Sequence, residues 1–406
     1  MQRLHEESTR VLGYIEGILN YKNTPSYVLL NPGPVLTTPK VKAALVHHDM
    51  CHRDDDFSAL VQNLRKKLKK VFKGGDDHEV VMITGSGTSG IEAAISSSVP
   101  EDKKILVVVN GAFGERYVEV SKVHRLGLVE VNFGWRNEVD TKEIERHLVE
   151  DEDIAVVMMA HHETSTGILN PVNEVGELCR KHNKLFIVDA VSSLGAEKID
   201  VVEDNIDICL SSANKAIHAI AGVAFVCISD KAWNTMRDIR PRVYYLDLKR
   251  YRKYAVDIEQ TPFTPAVSSF FALDAAIDEL LEDGVERRWD IYQERNQFIR
   301  TRLKEMGLRF LTETGNESHT ITVVEVPDYI KYQDLYNTMK SYGYILYGAK
   351  DELEDKYFQI SNMGALNEEI LTSFLDTLRF VLFKARGEMP ANISGLSPVI
   401  IKTHIA

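Results

Sequence analysis

Three stretches of this chain carry side chains whose type and spacing suit one kind of chemistry. In VVMITGSGTSG, residues 80 to 90, Gly85, Gly87 and Gly90 follow an apolar run, with Ser86 and Thr88 between them. A glycine loop that opens a helix offers unpaired backbone N–H groups and the positive end of a dipole, so it can hold a phosphate. In LFIVDAVSSLGA, Asp189 ends an apolar run. A carboxylate there is costly to desolvate without a cationic partner. In DICLSSANKAIHAIAG, Lys215 follows a further apolar run by a short polar turn, 26 residues after Asp189. Singly, these are a tight turn, a helix cap and a surface lysine. Together they supply a phosphate cradle, a pyridinium partner and an amine for a Schiff base, the three handles that pyridoxal 5'-phosphate needs.

The glycine spacing G-x-G-x-x-G also opens dinucleotide-binding loops, which place an acidic residue about 20 positions on to hold a ribose. Here the next apolar run, KILVVV, ends in Asn110 and Gly111. A nicotinamide oxidoreductase, or a ligand-binding protein without catalysis, is therefore the remote reading.

The elements that must position these groups show in the hydrophobic pattern. EVVMIT, KILVVV, IAVVMMA, LFIVDA, DICLS and VAFVCI are apolar throughout and separated by helix-capable stretches. Such runs predict strands covered on both faces, hence a mainly parallel, doubly wound α/β sheet with its ligand at the carboxyl ends of the strands. Leu4, Val11, Leu12, Ile15, Ile18 and Leu19 predict a helix over 4–19. Prolines 32, 34 and 39 predict an irregular loop that lines something. The expected organisation is an N-terminal helical extension over 1–27 and a large cofactor-binding domain over 28–285. A smaller α+β domain over 286–386 and a tail over 387–406 follow.

The 406 residues are 44% hydrophobic and 27% charged, and the formal charge is -12. That balance gives no general attraction to nucleic acid or to an anionic membrane. Four scattered cysteines without a C-x-x-C pair point away from zinc and disulfides and suit a reducing cytoplasm. The charged N-terminus is read as neither signal peptide nor anchor, and no run approaches about 18 apolar residues. His161, His162 and His218 are read as packing or hydrogen-bonding groups, with no metal expected.

NPGPVLTT, GSGTSG, NGAFGERY, HHETSTGILNP, VDAVSSLGA, SSANKAI and TPFTPAV follow one another in the chain, within a likeness that covers roughly residues 28 to 385. In this the chain resembles the class V branch of fold-type I pyridoxal phosphate aminotransferases, most of all the group that transfers the amino group of 2-aminoethylphosphonate to pyruvate. The resemblance implies that Lys215 is the Schiff-base lysine and that Asp189 keeps the ring nitrogen protonated. It implies that Phe113 stacks on the ring, with Val191 on the other face and Thr164 near the phenolic oxygen. Ser86, Gly87, Thr88 and Asn214 would hold the phosphate, and Thr261 and Thr264 would reach it from the neighbouring subunit of a homodimer. The implied substrates are a small amine or aminoalkyl phosphonate and a keto acid.

The pattern departs from the family at one position. Relatives carry an arginine in a late F-R-I-G motif, whose guanidinium fork binds the substrate's anion. This chain reads YFQISNMG, with Gln359 in that place. Arg240, Arg242 and Lys350 are the candidates to supply the lost charge. A lyase or other Cα chemistry on the same cofactor is the alternative that this departure leaves open.

Overall fold

A computed structural model describes residues 26–388. The expected N-terminal helix, and all but the first residues of the expected tail, lie outside them. The central sheet has seven strands: β1 (His78–Gly85), β2 (Lys104–Val109), β3 (Gly127–Asn132), β4 (Ile154–Ala160), β5 (Leu185–Asp189), β6 (Ile208–Ser212) and β7 (Gly222–Ser229). Their order across the sheet is β1-β7-β6-β5-β4-β2-β3. The pairs from β6 to β3 are parallel, and β7 runs antiparallel to both its neighbours. The apolar runs explain the layering. Successive side chains alternate between faces, so Val80, Met82, Leu106, Phe186 and Val188 join one core while Val81, Ile83, Ile105, Val107 and Ile187 join the other. Neither face meets water, which is why no polar residue interrupts them.

Strand β3 lacks that signature. GLVEVN lies at the sheet edge with mostly exposed or half-buried side chains. For that reason its sequence does not read as a run that is apolar throughout.

Two helices follow TPFTPAV, Val267–Asp283 and Val285–Glu305, which meet at Gly284. A three-stranded antiparallel sheet follows, with β8 (Ile321–Glu325) and β9 (Tyr347–Gly348) flanking β10 (Tyr357–Ser361). Its core includes Ile299, Leu303, Val324, Phe358 and Phe374. Val28 and Leu30 are buried in the same core, because Val28–Leu29 pairs in parallel with Tyr344–Ile345. Residues 28–30 thus pack with the C-terminal region, although the sequence pattern begins the large domain at 28. A fourth cluster, with Val35, Ala216, Tyr292, Val323 and Met363, joins the two regions.

Candidate active site

The carboxyl ends of β2, β4, β5 and β6 deliver most of the expected residues. Beyond β2 the chain enters helix α1 (Ala112–Val123), whose first turn holds Phe113. Thr164 follows β4, Asp189 is the last residue of β5, and Lys215 lies three residues beyond β6. A cavity of about 440 Å³ opens there, and Phe113, Thr164, Lys215 and Gln359 are among its lining residues.

Lys215 is the centre of the arrangement. Its Nζ lies 5.8 Å from the centroid of the Phe113 ring. Burial lowers its pKa to about 8, against the attraction of Asp189, because an ammonium cannot be hydrated there. The proline loop lies against it: a Cβ on Gly33 would come within 3.3 Å of Lys215 Cγ and of Asn214. Gly33 also has φ +138°, outside the range comfortable for other residues. The expectation that this loop lines something holds, since Pro32 and Gly33 form one wall of the cavity.

Asp189 is buried, and each of its oxygens accepts one bond within the chain. Oδ1 accepts from the Val191 N–H at 2.8 Å and Oδ2 from the Tyr117 hydroxyl at 2.7 Å. Desolvation raises its pKa, and these two donors hold it down only in part. Among the described residues no cation pairs with it. Val191 packs on the glycine loop, where a Cβ on Gly87 would stand 2.9 Å from Val191 Cγ2. Close approach is what that glycine allows.

Ser86 and Gly87 open the helix Gly87–Ser98, and no side chain caps its first turn. Asn214 accepts from the Ser212 hydroxyl at 3.1 Å through Oδ1. Thr164 shares a hydrogen bond of 2.5 Å with Ser192. Thr261 and Thr264 are not brought to the cavity of their own chain. The Thr261 hydroxyl donates to the Phe263 carbonyl at 2.9 Å, and Thr264 is exposed beside the aromatic cluster of Tyr244, Tyr245 and Phe263.

The cations sort themselves. Arg242 donates to the Ser96 carbonyl at 2.9 Å, and neither it nor Arg240 lines the cavity, whereas Lys350 does. Arg116, which sequence reasoning missed, lines it too. Its guanidinium lies 4.6 Å from the Phe113 ring centroid, and among the described residues it meets no carboxylate. Tyr117 was missed as well. Both stand three and four residues after Phe113, the spacing that puts side chains on one helix face, and that spacing was a usable signal.

Glu163 is the third residue without an expected role. It is fully buried and accepts from the N–H groups of Phe113 and Gly114, each at 3.2 Å, and of Ser165 at 3.1 Å. It therefore satisfies the N-terminus of α1, where Gly111 offers no side chain. Burial raises its pKa, and the hydrogen bonds oppose that. His161 and His162 are buried beside it, with pKa values lowered by desolvation to about 4 and about 3, so both are neutral.

The sequence matches the family described as Aminotransferase class-V over residues 38–347. A 2-aminoethylphosphonate–pyruvate transaminase of Lysinibacillus sphaericus is 34% identical over 358 residues, covering 87% of this chain and 96% of the relative. An uncharacterised aminotransferase of Methanocaldococcus jannaschii is 33% identical over 357 residues, covering 87% and 92%. Among solved structures, the ureidoglycine-glyoxylate aminotransferase of Bacillus subtilis superposes with a TM-score of 0.85 at 26% identity, covering 91% of this chain and 96% of that one. With the strand-end lysine and carboxylate on one mainly parallel sheet, these likenesses identify the chain as a member of the class V aminotransferases, with the fold-type I architecture.

Proposed function

We propose that this aminotransferase uses pyridoxal 5'-phosphate and moves an amino group from a small amine of the aminoalkyl phosphonate kind to a keto acid such as pyruvate, as a homodimer with shared active sites. The observation that carries the reading is Lys215 Nζ set over the Phe113 ring in a cavity at the strand ends, with Asp189 buried nearby. Asp189 also fits the cofactor. A carboxylate has about four acceptor positions and two are filled, so a pyridinium N–H finds both an acceptor and the counter-charge that burial otherwise denies.

Bound there, pyridoxal phosphate supplies an electron sink for the negative charge left at the substrate's α-carbon. Lys215 holds it covalently and, once released, moves a proton through Nζ, which a pKa near neutrality suits. Asp189 keeps the ring nitrogen protonated, Tyr117 holds Asp189, Phe113 and Val191 contact the ring, and Thr164 lies toward the phenolic oxygen. The amides of Gly87 and Thr88, with Ser86, Asn214 and the partner subunit's Thr261 and Thr264, hold the phosphate. Arg116 and Lys350 bind the substrate's anionic group. A charge-assisted contact of this kind contributes about 1.5–3 kcal/mol, enough to replace the arginine that Gln359 displaces.

The likeness to a 2-aminoethylphosphonate–pyruvate transaminase supports the substrate class. The test is an assay of 2-aminoethylphosphonate consumption with and without pyruvate. Amine loss and alanine formation in equal amounts, only when pyruvate is present, is the expected result. Amine loss without a keto acid would favour the lyase reading, which Gln359 alone recommends. No turnover of the phosphonate, with turnover of other amines, would move the substrate class elsewhere.

A further inference from the structure

Gln359 is 3% exposed on β10, between Val323 and Tyr347 of the neighbouring strands, and it also lines the cavity. Its Nε2 lies 2.7 Å from the Thr164 carbonyl and 3.1 Å from the Ser165 carbonyl. Two carbonyl oxygens can be met only by a donor, so the side-chain orientation is fixed by chemistry: the amide nitrogen faces the loop after β4. Both amide protons are committed there, and the position has no donor left for a carboxylate or phosphonate. Its remaining polar atom is Oε1, which only accepts. Among the described residues no donor reaches Oε1.

We propose that Gln359 is a specificity-determining residue that presents Oε1 to the cavity and selects a substrate carrying a hydrogen-bond donor, a hydroxyl or a second amino group, in addition to the amine that is transferred. An anionic group placed at Oε1 meets a negative dipole with no compensating N–H. A hydroxyl there fills an acceptor that the chain itself leaves open on the cavity side. The anion of the same substrate is then left to Arg116 and Lys350, the cations that share the cavity. The preferred amine is therefore bifunctional, an anionic amine with a donor substituent. This rests on reading the cavity as the substrate site.

The test compares hydroxylated and unhydroxylated partners: 2-amino-1-hydroxyethylphosphonate against 2-aminoethylphosphonate, and serine against alanine. With the holoenzyme and a keto acid, kcat/KM should favour the hydroxylated member of at least one pair by roughly ten-fold, the worth of one net hydrogen bond. Gln359→Arg keeps donors for the two carbonyls but offers no acceptor, and should reverse or erase that preference. Gln359→Met should erase it as well, and urea midpoints for both variants separate lost folding from lost selectivity. Calorimetric binding of 1-hydroxyethylphosphonate and ethylphosphonate, which carry no amine to transfer, gives the same comparison without turnover. Equal treatment of both members of every pair by the wild type, or a preference that survives Gln359→Arg, overturns the inference and leaves the transaminase reading in place. A cavity that neither binds nor turns over any of these compounds overturns both.

Discussion

Lys215 has a usable amine because burial strips water from its charged form. With its pKa lowered to about 8, the neutral amine that attacks an aldehyde becomes the main species only above that pH. Cofactor-free protein should therefore bind pyridoxal phosphate faster as pH rises, half-maximally near 8, as followed by absorbance. A midpoint near the ordinary value of 10.5 would contradict the burial. The sign carries over to stability. The unfolded chain keeps this proton up to a higher pH than the folded one, so ligand-free protein gains stability as pH rises from about 8 toward 10.5. Tyr117 acts through Asp189. Tyr117→Phe removes the donor to Oδ2 and leaves a buried carboxylate oxygen short of one bond, a loss of about 1–3 kcal/mol. Cofactor affinity measured by spectral titration should fall about ten-fold or more, while an unchanged affinity would mean that Asp189 needs no such support.

At the scale of elements, the site depends on how α1 is started. Gly111 precedes it without a side-chain cap, and Glu163, from the segment after β4, supplies the acceptors instead. Glu163→Ala should lower the unfolding free energy by about 2–3 kcal/mol, read from urea midpoints, and Glu163→Gln by roughly 1 kcal/mol, since an amide oxygen still accepts. Equal effects would show that the acceptor is not what matters. Much of this framework was legible in the chain itself. Strands that are apolar on both faces announce themselves, and Asp189 and Lys215 stand at the ends of two of them or just beyond. What stayed hidden is what local pattern does not encode. The edge strand β3 has only one sheltered neighbour. The pairing of Val28–Leu29 with Tyr344–Ile345 joins residues more than 300 positions apart. Glu163 reads as an ordinary acidic residue until the fold brings the start of α1 over it. Arg242 and Lys350 were equal candidates in sequence, and only the fold sets one at a backbone carbonyl and the other on the cavity wall.

At the scale of the whole molecule, one chain keeps Thr261 and Thr264 away from its own proposed cofactor site, and it exposes aromatic surface beside them, with Tyr244 69% and Tyr245 40% exposed. Such a patch favours burial against a second copy, which would carry those threonines into the neighbouring site. Sedimentation should show a dimer, and cofactor should be released when dilution yields monomer. A monomer that keeps its cofactor would remove the shared site. The proposed chemistry depends on one lysine. Holoenzyme reduced with borohydride, digested and mapped by mass spectrometry should carry the pyridoxyl phosphate group on the peptide containing Lys215, one per chain. A label on any other lysine, or none on protein that has bound the cofactor, would contradict it.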